Sequence, residues 1–162
     1  MPDLHIRTAR EEDLPEICLL DREAFPAEPY PEFVLRQYFD LCCGHLIVVD
    51  DGTALRGYLI AAAPSDCGPT WLISLGVARD LRGRGLGRRL MTRMLDRLRS
   101  EGASEVRLAV DPDNEPAVHL YKSLGFTPLG GPRKDYFGAG KDRLLMALFL
   151  PAAPTPAPPR RP

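Results

Sequence analysis

Between Leu75 and Arg89 the chain leaves an apolar run, enters a basic turn with glycine at 83, 85 and 87, and passes straight into a helix. That helix, read from Gly85 to Glu101, carries Leu86, Leu90, Met91, Met94, Leu95 and Leu98 at intervals of three and four residues, so one face must be buried. Apolar runs at Thr70 to Val77 and Glu105 to Val110 flank it. A buried helix between two strands is a crossover, which makes the strands parallel within one sheet. The turn adds chemistry to this topology. First-turn amides of a helix have no intrahelical acceptor, and the helix-end field favours negative charge. Glycine leaves no Cβ between backbone and ligand, so the turn can hold a phosphate. A plain glycine-rich entry to a helix fits the same residues.

The rest of the chain supplies a mixed sheet. Leu4 to Ala9 reads as a first strand, followed by a helix that sends Leu14, Ile17, Cys18 and Ala24 toward the core. Phe25-Pro26 stops that helix. A second runs from about Glu32 to Cys42, with Phe33, Leu35, Tyr38 and Phe39 as its apolar side. His45 to Asp50 and Ala54 to Ala63 form a hairpin about Asp51-Gly52. After the crossover come a short helix, Glu115 to Leu124, and strands at Phe126 to Leu129 and Arg143 to Leu150. Residues 151–162 alternate proline with alanine and read as an extended or disordered tail outside a domain of residues 1–150.

At 162 residues, 44% hydrophobic and 27% charged, the chain has the size of one domain with one sizeable core. The formal charge of −1 argues against bulk nucleic-acid binding. Arginines cluster at 79–99 while acidic residues crowd 11–51, which suits a small polyanion at one basic mouth. Arg93, Arg97 and Arg99 read as a solvated helix face, and Arg82 and Arg84 as anion contacts. Cys18, Cys42, Cys43 and Cys67 lack metal or disulfide spacing, so no metal is expected. With no leader or membrane-length apolar run, a cytoplasmic protein without membrane partners is expected.

Other phosphate motifs fit worse. The alternating glycines do not make G-x-G-x-x-G, and Gly140-Lys141-Asp142 lacks the hydroxyl of a P-loop. Arg82-Gly-Arg-Gly-Leu-Gly87 instead resembles the R/Q-x-x-G-x-G/A signature of the GCN5-related N-acetyltransferases. A second block, Asn114, Ala117 and Leu120-Tyr-Lys-Ser-Leu-Gly-Phe126, is similar to that family's N-x-x-A-x-x-L-Y-x-x-x-G-F. Order and spacing match over about residues 4–150.

The resemblance implies an α/β fold with a mixed, mostly antiparallel sheet flanked by helices and splayed between strands 4 and 5. It implies acetyl-coenzyme A as donor and direct transfer to an amine. By position, Arg82, Gly83, Arg84, Gly85, Leu86, Gly87 and Arg88 would grip the pyrophosphate, and Leu75, Gly76 and Val77 would meet the pantetheine arm. Asn114 would contact that arm, although its residue type also suits a helix N-cap. Tyr121 would act as general acid toward the sulfur, a task that suits a neutral phenol, and it would touch the cofactor. Packing in the core is its alternative reading.

At the position where some relatives place a glutamate base, this chain has Ala109. Glu28, His119 and Asp111 remain as candidate bases, each equally readable as a surface residue. Phe25, Tyr30 and Tyr136 lie in the stretches that the resemblance assigns to the acceptor, either a small-molecule amine or a peptide or protein amine. The resemblance also allows a homodimer. A non-catalytic coenzyme A binding module is the alternative to an enzyme.

Overall fold

The computed structural model describes residues 3–42, 44–66 and 68–151. The proline-rich tail therefore lies outside the described residues. Strands β1 (His5–Thr8), β2 (Leu46–Asp50), β3 (Leu55–Ala62), β4 (Thr70–Val77), β5 (Glu105–Val110), β6 (Thr127–Pro128) and β7 (Leu144–Phe149) form one sheet. Their order is β1-β2-β3-β4-β5-β7-β6. Only β4 and β5 pair in parallel, as the crossover by α3 (Leu86–Ser100) requires. The mixed, mostly antiparallel sheet read from the sequence is the observed one.

Side-chain alternation splits the core into two layers. Ile47, Val49 and Leu59 point to α3, where Leu90, Met91, Met94 and Leu98 are fully or almost fully buried. Val48, Tyr58 and Ile60 point to the opposite face, under α1 (Leu14–Ala24) and α2 (Glu32–Leu41). Because helices cover both faces, β2 is apolar at four consecutive positions rather than alternating. Cys18 is buried there as a free thiol, as expected.

Three sequence expectations need correction. Phe33 is 65% exposed and does not join the apolar side of α2, where Leu35 is fully buried and Tyr38 and Phe39 are partly buried against the core. The second helix closes at Leu41, with Cys42 as its cap. The strand expected over 126–129 shrinks to two residues: Pro128 has no amide to give a ladder, and the backbone turns at Gly130 with φ +82°.

A charged cluster fastens the first strand. The Arg7 guanidinium donates to both oxygens of the nearly buried Asp13, at 2.7 and 2.9 Å, and to Asp50 at 3.0 Å. The bond from Arg7 holds the Asp13 carboxyl below its usual range against the opposing effect of burial. A depressed carboxylate stabilises the fold above its unfolded pKa, about 3.9, and loses that contribution as pH falls through the folded value. Urea midpoints are therefore expected to drop steeply below about pH 4. Arg7→Met should flatten the drop; an identical acid profile in that variant would rule the cluster out as its source.

Candidate active site

Parallel pairing between β4 and β5 stops early. Thr70, Trp71 and Leu72 pair with Val106, Arg107 and Leu108, and beyond them both strands run on unpaired with each other. The cause is visible on the other edge of β4. Its register to β3 shifts between Ile60↔Ser74 and Ala61↔Leu72, leaving Ile73 as an extra residue. Such a bulge bends a strand and increases its local twist. The bend falls one residue after the last pair with β5, and a V opens between the strands.

Ladder geometry then sets which amides face the V. Ala78 N donates to Arg56 O at 2.9 Å, so bonded pairs fall at 56/78, 58/76 and 60/74. The amides of Leu75 and Val77 point away from β3, toward the side that β5 has left. At the mouth of the V lies the glycine turn. Gly83 and Gly85 have φ of +72° and +79°, and a Cβ added to either would meet nothing within 4 Å. Both positions are open and both need glycine for their backbone. Among the described residues, the amides at 83–88 donate to no protein acceptor; the first α3 bond runs from Arg89 N to Gly85 O. A run of amides without protein acceptors, opening to solvent at Gly83 and Gly85, fits a diphosphate.

The short helix α4 (Glu115–Ser123) packs beside this turn. A Cβ on Gly87 would lie 3.4 Å from Leu120 Cδ2, and Arg88 donates to Ser123 Oγ at 2.5 Å. Gly87 thus admits α4 as well as the ligand. One residue after Leu120, the Tyr121 ring meets Phe126 edge-on at 6.0 Å. Burial pushes its phenol up to about 12; the residue is half-buried, and no hydrogen bond joins its hydroxyl to the protein among the described residues. It therefore holds its proton at neutral pH.

On the opposite face a buried polar chain links the V to the loop after α1. Asp21 is fully buried, accepting from the Tyr58 hydroxyl at 2.6 Å and from Tyr30 N at 2.6 Å. Tyr58 also meets Ser74 Oγ at 2.9 Å. Its ring fills the space beside Gly76, where a Cβ would lie 2.4 Å from a ring carbon. The loop carrying Phe25, Glu28 and Tyr30 is tied in turn to the segment between β6 and β7 by an ion pair of Glu28 with Lys141.

The sequence profile of the acetyltransferase (GNAT) family matches residues 8–126, which take in the V, the turn and α4. This chain belongs to that family. It is 28% identical over 159 residues to the N-alpha-acetyltransferase of Sulfurisphaera tokodaii, covering 91% of this chain and 94% of that one. It is 38% identical over 96 residues to the mycothiol acetyltransferase of Renibacterium salmoninarum, covering 56% of this chain. The match spans only 28% of that longer protein. The solved Escherichia coli ribosomal-protein-S18-alanine N-acetyltransferase superposes with a TM-score of 0.80 at 25% identity, over 93% of this chain and 96% of that one.

Within this GNAT fold the residues singled out from the sequence take different places. Leu75, Val77 and the stretch from Gly83 to Arg88 gather around the V. Arg82 does not reach outward: its guanidinium donates to Val77 O and Glu23 O, both at 3.2 Å, and so braces the turn against α1. Arg84 is exposed, with no partner among the described residues, and is the guanidinium left for an anion. Asn114 caps α4 through Ala117 N at 3.3 Å. Glu28 is held by Lys141, Asp111 accepts from Asp113 N at 2.9 Å, and His119 is exposed on α4. Tyr136 is 40% exposed and stacks on Phe137 at 5.4 Å.

Asp21, Tyr58 and Ser74 were not anticipated. Asp21 falls on the buried stripe of α1, four residues after Ile17 and three after Cys18, and a carboxylate on an apolar stripe was the available signal. A groove of about 540 Å³ between α1 and α2 is lined by Leu19, Phe33 and neighbours; it touches neither the turn nor Tyr121.

Proposed function

We propose that this chain is an N-acetyltransferase that moves acetyl from acetyl-coenzyme A directly to an amine, with residues 1–150 as its catalytic domain. The observation that carries the reading is the V between β4 and β5, with free amides at 83–88 at its mouth and an unpartnered neutral phenol beside it. The amides from Gly83 to Arg88 hold the pyrophosphate, and Leu75 to Val77 meet the pantetheine arm. The donor supplies an activated thioester. Val77 N–H donates to the thioester oxygen as charge develops there. Tyr121 O–H gives its proton to the departing sulfur and regains one from solvent. Ala109 offers no base, so the amine arrives neutral and sheds its proton to water.

The acceptor is a peptide α-amine in this reading, held between Phe25, Tyr30 and Tyr136. The relatives matched over nearly their whole length, one an N-alpha-acetyltransferase and one a ribosomal-protein-S18-alanine N-acetyltransferase, support it. The partial match to mycothiol acetyltransferases supports a small-molecule amine as the second reading. Among the described residues no helix is long and apolar enough to cross a membrane, and a cytoplasmic site of action belongs to the same proposal.

Thiol release from acetyl-coenzyme A, measured with peptides and small amines, tests the activity. Gly85→Val tests the grip. With φ at +79° and no atom near its Cβ, the substitution acts on backbone geometry alone, at a cost of about 1–2 kcal/mol. It is expected to raise the KM for acetyl-coenzyme A at least about tenfold, the loss of one or two charge-assisted bonds. An unchanged KM would place the donor elsewhere.

A further inference from the structure

The segment between β6 and β7 closes on itself through Arg133 and Arg143, which exchange backbone bonds of 2.8 and 3.0 Å. Its own carboxylates are spent on shaping it. Asp135 accepts from Gly140 N at 2.7 Å, and Asp142 from Asp135 N at 2.9 Å. Lys141 is paired with Glu28 across the acceptor side. Arg133, Lys134 and Arg143 are left without a carboxylate partner among the described residues.

Arg143 differs from the other two in its position. It is half-buried, its Cζ sits 4.6 Å over the Phe137 ring, and among the described residues its guanidinium makes one hydrogen bond, from Nη1 to Asp142 O at 2.7 Å. In the β5–β7 ladder Leu145 lies opposite Ala109, so Arg143, two residues before Leu145, shares the face of Ala109. The offset along the strand is about 7 Å. That is the face on which Tyr30 lies. Burial, Tyr38 and Asp21 push the Tyr30 phenol up to about 12, and the positive field of Arg143 pulls against them. A guanidinium fixed on an aromatic ring, partly out of water and unpaired, is a ready partner for a carboxylate.

We infer that Arg143 selects the acceptor by binding a carboxylate that the acceptor carries a few bonds from its reactive amine. The inference rests on the transferase reading above and narrows its acceptor to anionic amines. That carboxylate is the side chain of an acidic residue near a peptide amino terminus, or the carboxylate of a small amino acid; the shared chemistry is an amine with a nearby anion.

Thiol release at saturating acetyl-coenzyme A separates the sources with two matched pairs. One pair is an Ala-Glu and an Ala-Gln peptide, both amidated at the carboxyl end; the other is β-alanine and its amide. The wild-type enzyme is expected to favour the carboxylate member of one pair at least tenfold in kcat/KM, and that pair names the source. Arg143→Gln should bring the ratio to within twofold of unity through the KM of the carboxylate member, with Arg143→Lys between. A loss of fold or of general activity would lower both members together and leave the ratio intact. A ratio that Arg143→Gln leaves unchanged, or a wild type that prefers the neutral member of both pairs, overturns the inference while the transferase reading stands. The absence of acceptor-dependent thiol release with any peptide or amine overturns both.

Discussion

Replacing Tyr121 by Phe is expected to lower kcat at least about tenfold, and up to about a hundredfold, while the protein melts near the wild-type temperature. The asymmetry follows from what the hydroxyl touches. No hydrogen bond joins it to the protein among the described residues, so its removal breaks no internal bond, and the ring keeps its edge-on contact with Phe126 at 6.0 Å. Burial pushes the phenol up to about 12. The acid form therefore predominates through neutral and mildly alkaline pH, and Tyr121 contributes no alkaline fall in rate below about pH 10. The rising limb belongs to the amine instead: kcat/KM should climb with pH toward about 8, the range of a peptide α-amine. Measured kcat for Tyr121→Phe within twofold of wild type, with the best acceptor of the panel, would return this residue to a packing role.

Asp21→Ala is expected to cost about 3 kcal/mol, which lowers the melting temperature by about 6–12 °C for a chain of this size. The Asp21 carboxylate is fully buried and accepts two bonds of 2.6 Å from different elements: the Tyr58 hydroxyl on β3 and the amide of Tyr30. Truncation strands the Tyr30 amide and leaves Tyr58 with Ser74 alone. Asp21→Asn keeps volume and one acceptor oxygen but aims an amide N–H2 at one of the two donors, and should fall between. Because Tyr30 lies in the loop proposed to hold the acceptor, the KM for the amine should rise in both variants more than the KM for acetyl-coenzyme A. An Asp21→Ala protein that melts with the wild type would show that other contacts hold that loop.

Much of this architecture is written locally. The spacing of Leu86, Leu90, Met94 and Leu98 makes α3 a one-faced helix wherever it packs, and its place between two apolar runs makes β4 and β5 parallel. Gly83 and Gly85 announce a turn that only positive φ can make. Other features were legible only as type, without place. Arg82 is a cation in a basic turn by sequence, and its inward bonds to Val77 O and Glu23 O depend on α1 lying alongside, 59 residues away in the chain. Phe33 fits the apolar side of an isolated α2, yet the core takes Leu35, Tyr38 and Phe39 and leaves Phe33 exposed.

The sequence by itself determined the proposed donor end of the site, because consecutive backbone amides at a helix start are a local property of some seven residues. Only the tertiary structure decided the surroundings of the proposed acceptor end. The bulge at Ile73 opens the V, Tyr58 lies across Gly76, and Asp21 anchors the Tyr30 loop. Arg143 faces the same side as Ala109 because two strands pair in one register. Apart from the Asp21–Tyr30 bond, which spans nine residues, each of these joins residues distant in the chain, and such contacts are fixed by packing and register, which no local pattern encodes.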